Sequence, residues 1–428
     1  MQDPDSALAS DRIGFREFVG LMAALMATQA LPIDAMLPAL PAIVRTLGIG
    51  NENHGQWIIT SYLIGLSSGQ LFWGVLSDRF GRRPMLLLGL GLYLASAVLC
   101  GLSTSFTSLL MWRLVHGLAA SCMVITTSVI RDLYAGRHMA RVMSLCFIVF
   151  LMVPVIAPSL GQLVLLIAPW RQIFLLFAAF GSVVALWTLL RLPETLRPQF
   201  RRTLNLAQLW SATRLVLGTR VSICYTLAQM MLFGTLVSYL GMVQQIFEAV
   251  YHRPALMPTM FALSAVAVAA TSFLNSRIVE RVGMRIISHA ALLTFIGLSA
   301  LHVVLAALQA EPLWLFVLLQ SATLASFGLA ESNFMAMAME PLGSVAGIGA
   351  ALLGFTSLFL AAIVGALIGR QFNGTLMPLA AGALVCGLVS LLFVLLGEHG
   401  KLFRAHHQDD QLGSGGAGDA PLGALGPH

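Results

Sequence analysis

The chain has 428 residues, of which 58% are hydrophobic and only 10% charged, with a mean hydropathy of +0.86. Soluble domains carry about 25% charge, so an ordinary water-soluble globule is excluded. The net charge of +6 then calls for an explanation other than nucleic acid. The five cysteines fall in apolar runs with no Cys-x-x-Cys spacing, which favours small buried hydrophobes over disulfides or metal ligands.

Twelve apolar runs follow one another, near 18–42, 56–76, 84–102, 108–130, 142–166, 171–190, 221–245, 257–279, 286–307, 312–338, 345–369 and 375–396. Each is long enough to cross a hydrocarbon core about 30 Å thick. Backbone groups in lipid must be satisfied within their own segment, so runs of this length are helices. The expected fold is an all-α membrane protein with twelve transmembrane helices.

The first run carries Asp34 in TQALPIDAMLPALP, two-thirds of the way along. A carboxylate near the centre of a span costs about 2.5–3.5 kcal/mol on insertion scales and is functional by default. Pro32 and Pro38 flank it. Neither can donate a backbone hydrogen bond, so the helix should bend and expose polar backbone to protein or a wet cavity. Burial disfavours the charged carboxylate, which suits a group that takes up and releases a proton. The plainer alternative is an ionised acid solvated at the outer end of the span.

After the second run comes GVLSDRFGRRP, residues 74–84. Gly74 and Asp78 are four apart and share a helix face, and Gly74 permits close helix approach. Asp78 could face the positive N-terminal end of another helix, with Ser344 as that helix's cap. Arg82 has a candidate partner in Asp132, within RDLYAGR after the fourth run. These residues, with Arg79, Gly81, Arg83 and Arg131, suggest a charged latch that closes one face and opens during a transport cycle. Alternatively, they only set topology at the headgroup boundary. A degraded copy lies 202 residues on, where Glu280, Arg281, Gly283 and Arg285 stand for Asp78, Arg79, Gly81 and Arg83. Such spacing predicts a duplicated unit of six helices, as many transporters have.

In the fourth run, Arg113 is followed at four-residue steps by Gly117 and Ser121. An arginine inside a span must find a carboxylate, carbonyls or water. It either snorkels to the headgroups or faces the cavity and tunes Asp34. His116 could titrate near neutrality or be a hydrogen-bonded core residue. In the fifth run Pro154, Pro158 and Gly161 predict a bent, closely packed helix, or simply a proline kink. Residues 192–220 are the longest polar interruption and divide the runs six and six. In the second half, Glu331 lies opposite Val129, next to Arg131, once the 202-residue offset is removed. It is expected to be a latch residue paired with Arg281 or Arg285, with a central proton site as the alternative. Glu340 reads as a solvated helix-end charge.

The expected organisation is an N-terminal segment 1–17, a six-helix bundle 18–191, a linker 192–220, a second bundle 221–396 and a disordered tail 397–428. With the N-terminus cytoplasmic, 19 Lys and Arg fall on cytoplasmic loops and tails against four outside. The positive-inside rule then places both termini in the cytoplasm.

IDAMLPALP, WGVLSDRFGRRP, RLVHGLAAS, VIRDLYAGR, the Pro154–Gly161 stretch, PWRQIF, LPET and MAMEPLGSVAGIGAALLGF together resemble the major facilitator superfamily. Within it they are most similar to the bicyclomycin-resistance and chloramphenicol-efflux group of drug:proton antiporters. Departures are His116, where glutamine is usual, Ala157 and Gln162 in the fifth run, and Glu331 in the tenth. The resemblance implies a multi-pass exporter of small amphipathic compounds in a bacterial inner membrane. It would act as a monomer, without a cofactor and with no nucleic-acid partner, driven by the proton gradient. A dedicated exporter of one metabolite is the nearest alternative. A membrane enzyme should show paired carboxylates or histidine clusters in the spans, and a receptor a sizeable domain outside the membrane. Neither feature is evident.

Overall fold

The structure is a computed structural model that describes residues 13–134, 136–196, 199 and 206–403. Among these residues all regular structure is helical. The first run is two pieces: α1 (Phe15–Asp34) stops at the acid, a 3-10 turn spans Leu37–Ala39, and α2 (Leu40–Thr46) resumes. Pro38 and Pro41 stand at the starts of the turn and of α2, where a missing N–H costs least. The break predicted from the prolines is therefore present. It is followed by α3 (Gln56–Phe80), α4 (Arg82–Leu102), α5 (Phe106–Ala120), α6 (Val124–Leu133), α7 (Gly136–Ile167) and α8 (Arg171–Arg191). A 3-10 turn at Ser121–Met123 joins α5 to α6.

The second half repeats the plan with α10 (Arg220–Gln245), α11 (Met257–Val282), α12 (Met284–Ala307), α13 (Leu313–Met339), α14 (Ala346–Gly369) and α15 (Met377–Gly397). Twelve stretches are long and apolar enough to cross a membrane, α1 with α2 and α5 with α6 each forming one of them. Between the halves the expected polar linker contains a helix, α9 (Leu206–Gly218). Its Val216 is buried against the core of the second half, which gives an otherwise short helix its reason to form. The duplication shows in the backbone: Gly81 and Gly283 sit between successive helices at φ +106° and +92°. Only glycine adopts that region without strain.

An even number of spans brings both described ends to one side, here the terminal face; the opposite side is the far face. The apolar core is organised accordingly. At the far face one cluster runs through both halves, from Leu40, Ile58 and Phe174 to Tyr239, Phe247 and Phe316. Towards the terminal face it divides into one cluster around Phe18, Leu86 and Ile130 and another around Tyr225, Phe295 and Phe334. Polar contacts between the halves gather at the far face. Asn53 Nδ2 donates to the carbonyls of Arg370 and Phe372 at 3.1 and 2.9 Å, Gln245 donates to Asn53, and Arg45 approaches Glu248 at 3.8 Å. The two halves are thus joined at the far face and parted at the terminal face.

Candidate transport site and charged turn

Asp34 is the last residue of α1 and is 6% exposed. Its carboxyl has no hydrogen-bond partner among the described residues, yet it is not fully sealed. The helix break beside it is held from two sides. Met36 N–H bonds to Ile33 rather than to Pro32, so the Pro32 carbonyl is released from the helix ladder. Arg113 Nη2 donates to that carbonyl at 3.2 Å, and Arg113 Nε donates to the Ile58 carbonyl at 3.1 Å. The guanidinium is fully buried and lies 4.4 Å from the Tyr62 ring centre. Arg113 therefore finds carbonyls, and does not snorkel. It acts on the segment that carries Asp34 by fixing its backbone.

The other side of the break is α7. A side-chain carbon on Gly161 would lie 2.0 Å from the Ala35 carbonyl oxygen and 3.1 Å from the Pro38 ring. Glycine is what lets α7, which contains Pro154 and Pro158, run against the unwound turn. The spacing Arg113-x-x-x-Gly117 has a similar cause. Gly117 meets the Tyr62 carbonyl of α3, while Gly65 meets the Leu114 carbonyl of α5, each where a Cβ would sit 1.9 Å away. Gly65 and Gly69 form a small-x-x-x-small pair whose importance sequence reasoning passed over.

His116 does not line an open cavity. It is fully buried among Tyr62, Tyr93 and Phe177, with ring centres 5.5, 4.4 and 6.2 Å away. Three residues on from Arg113, it shares the Tyr62 ring with the guanidinium and extends into the ring cluster.

At the terminal face Arg82 organises the charged turn. Its Nη1 donates to Asp78 at 2.5 Å and to Ser77 at 2.7 Å, and its Nε donates to Asp132 at 3.1 Å. The proposed partner is therefore in contact. Glu194, from the LPET stretch, accepts the backbone N–H groups of Arg82 and Arg83. Thr195 donates to Asp132, and Arg83 donates to the Leu189 carbonyl at 2.6 Å. The role of Glu194 was not foreseen, because the N–H groups that donate to it lie more than a hundred residues away. Arg79 rests over the Phe80 ring, and Arg131 is exposed. All these contacts lie within the first half and stand while the terminal face is parted, so they brace that half. Gly74 departs from expectation: a Cβ there would meet nothing within 4 Å, because no helix covers it in this arrangement. The Ser344 side chain lies outside the described residues.

Glu331 also departs from expectation. Its partner is Gln229, whose Nε2 donates to it at 2.8 Å, and not Arg281 or Arg285. The 202-residue offset is right for the turn but carries no information about which face of α13 a side chain takes. Arg285 instead binds Glu398 at 2.8 Å and approaches Glu340 at 3.7 Å. Tyr225 donates to the same Glu398 oxygen at 2.6 Å. Burial pushes the Glu398 carboxyl up, but the hydrogen bonds from Tyr225 and Arg285, with the charge of Arg285, outweigh it and hold it below the usual range. Glu340 is thus a loosely paired charge. Among the described residues no cluster of three His, Cys, Asp or Glu could hold a metal ion, and the cysteines are free.

Twelve spans in two parted six-helix halves, with a broken first helix carrying a buried acid, define a multi-pass membrane protein of transporter architecture. A sequence model of the Major Facilitator Superfamily matches residues 18–366, and the chain belongs to that superfamily. It is 28% identical over 386 residues to the uncharacterized MFS-type transporter YdgK of Bacillus subtilis, covering 89% of this chain and 94% of that protein. Over 362 residues it is 28% identical to a bicyclomycin resistance protein homolog of Haemophilus influenzae, covering 84% and 90%. Over 374 residues it is 27% identical to multidrug resistance protein MdtL of Klebsiella pneumoniae, covering 85% and 91%. A D-xylose–proton symporter structure superposes with a TM-score of 0.71 at 14% identity, over 90% of this chain and 98% of that one. The human organic anion transporter MFSD10 gives 0.62 at 18%, over 89% and 97%.

Proposed function

We propose that this chain is a proton-coupled exporter of small amphipathic compounds, working by alternating access in a bacterial inner membrane. The terminal face is taken as cytoplasmic, so the arrangement described is the inward-open one. The carrying observation is Asp34, a buried carboxyl without a hydrogen-bond partner among the described residues, at a helix break held by Arg113 and Gly161. A carboxyl so placed changes its charge at little structural cost, since no internal hydrogen bond has to be broken. Relatives named for bicyclomycin and multidrug resistance support the substrate class.

In the proposed cycle Asp34 takes a proton while the far face is open and releases it when the terminal face opens. Substrate moves the other way. One proton moving down 100 mV supplies about 2.3 kcal/mol, with about 1.4 kcal/mol more per pH unit of gradient. That suffices for a tenfold gradient of a neutral solute. Asp78 and the start of α14 would meet over Gly74 when the terminal face closes. No cofactor is needed, and a single chain holds every part of the scheme.

The test is reconstitution into vesicles with a trapped pH dye and addition of bicyclomycin, ethidium or an amino-acid mixture. Proton movement elicited by the drug-like compounds supports the proposal. A response confined to the amino acids would favour a dedicated metabolite exporter, and no response to any of them would count against both.

A further inference from the structure

The second bundle contains a hollow. Between α10, α12, α13 and α15 lies a cavity of about 20 Å³. Its walls include Thr235, Ser299, His302, Gln320 and Thr323. Water needs about 10–15 Å³ by that measure and two to four polar partners, so the hollow has room for one or two.

Two of these side chains are more than nine-tenths buried and have a polar atom without a partner among the described residues. Ser299 is 1% exposed and its Oγ has no partner; His302 is 5% exposed and its Nε2 has none. The other ring nitrogen of His302, Nδ1, lies 2.8 Å from Glu311 Oε1, and among the described residues neither Glu311 oxygen has an aligned hydrogen bond. Glu311 lies in the short loop between α12 and α13 at the far face, with its side chain 1% exposed. The surrounding titratable groups are few. Tyr251 donates to the Glu311 backbone carbonyl at 3.1 Å, and the Phe316 ring covers His302. The cavity walls from α10 and α15, Thr235 and Leu and Ala residues, bring no charge. Positions 202 residues earlier hold Ala97 for Ser299 and Cys100 for His302, so the third span of the first half has no counterpart of either.

We propose that this cavity is a second proton-binding site. His302 and Glu311 share one proton at the far face, and water held by Ser299, Gln320 and Thr323 takes it up or delivers it through His302 Nε2. Burying an acid and a base is costly unless each finds a partner, and the hollow supplies the hydrogen-bond partner that Nε2 lacks. The proposal rests on the proton-coupled reading for its role in transport, not for the existence of the site.

Two measurements test it. In vesicles, the proton-to-bicyclomycin ratio is read from the pH gradient that just halts net flux. The expected ratio is above one in the wild type and falls by one in His302→Gln and in Glu311→Gln. An unchanged ratio in both folded variants, or a wild-type ratio of one, overturns the proposal. Glu311→Asp, which keeps the acid, should retain the ratio if the glutamine variant fails to fold. The second readout needs no transport. On transfer of membranes from H₂O to D₂O, an infrared band that vanishes in Glu311→Gln and changes in His302→Gln should shift promptly. A band that does not shift, or no band lost with either substitution, refutes the site. Prompt shifting without coupled transport would refute the export reading alone.

Discussion

Replacing Gly161 by alanine tests whether the break in the first helix is held by close packing. The added Cβ would sit 2.0 Å from the Ala35 carbonyl oxygen, 2.9 Å from its carbon and 3.1 Å from the Pro38 ring. The first two are backbone atoms of a turn already constrained by prolines, so no flexible side chain can yield. Restoring van der Waals contact means moving α7 and the break apart by about 1 Å or more. Overpacking of this kind costs about 1–3 kcal/mol. The expected result is a lower thermal midpoint in detergent together with a clear loss of transport, since the same turn carries Asp34. Gly74→Ala is the matched control, because a Cβ there meets nothing within 4 Å. Exchanging glycine for alanine inside a helix favours it by up to about 1 kcal/mol. Its midpoint should hold or rise. Equal destabilisation by both substitutions, or none by Gly161→Ala, would refute the packing argument.

Further outcomes follow from the same contacts. Arg113→Leu removes two charge-assisted hydrogen bonds to buried carbonyls, each worth about 1.5–3 kcal/mol, and should lower the midpoint sharply; Arg113→Lys, which cannot span both carbonyls, should fall between. A double-mutant cycle of Arg82→Gln and Asp132→Asn, read as unfolding stability, should show a coupling of about 0.5–3 kcal/mol, and strict additivity would remove the pair. Because the Glu398 carboxyl is held below its ordinary value of about 4.3, its contribution is complete above that value. It is lost as pH falls through the lower folded value. Stability should therefore be flat in this respect above about pH 5 and decline in acid, and Glu398→Gln should weaken that decline.

The number of spans and their division six and six were legible because lipid thickness sets the length of an apolar run. The break after Asp34 was legible as well, since prolines announce the carbonyls they leave free. By contrast, the turn at Ser121–Met123 carries no proline and gave no signal. The pairing of Arg82 with Asp132 could be guessed from opposite charge beside neighbouring spans. The Gln229 partner of Glu331 could not, because an amide 102 positions away in the chain has no charge to betray it. Gly74 looked like a packing glycine and is uncovered here, since a sequence is one string shared by every conformation of a transporter. His302 and Glu311 escaped notice because a loop separates them and each looks ordinary alone.

The most direct test of the central claim is the proton movement that accompanies bicyclomycin flux in vesicles bearing wild-type protein or Asp34→Asn. The account predicts that the wild type exchanges protons for compound, whereas the folded variant shows no compound-dependent proton movement and cannot build a gradient. Unchanged proton movement and uphill transport in Asp34→Asn would contradict it.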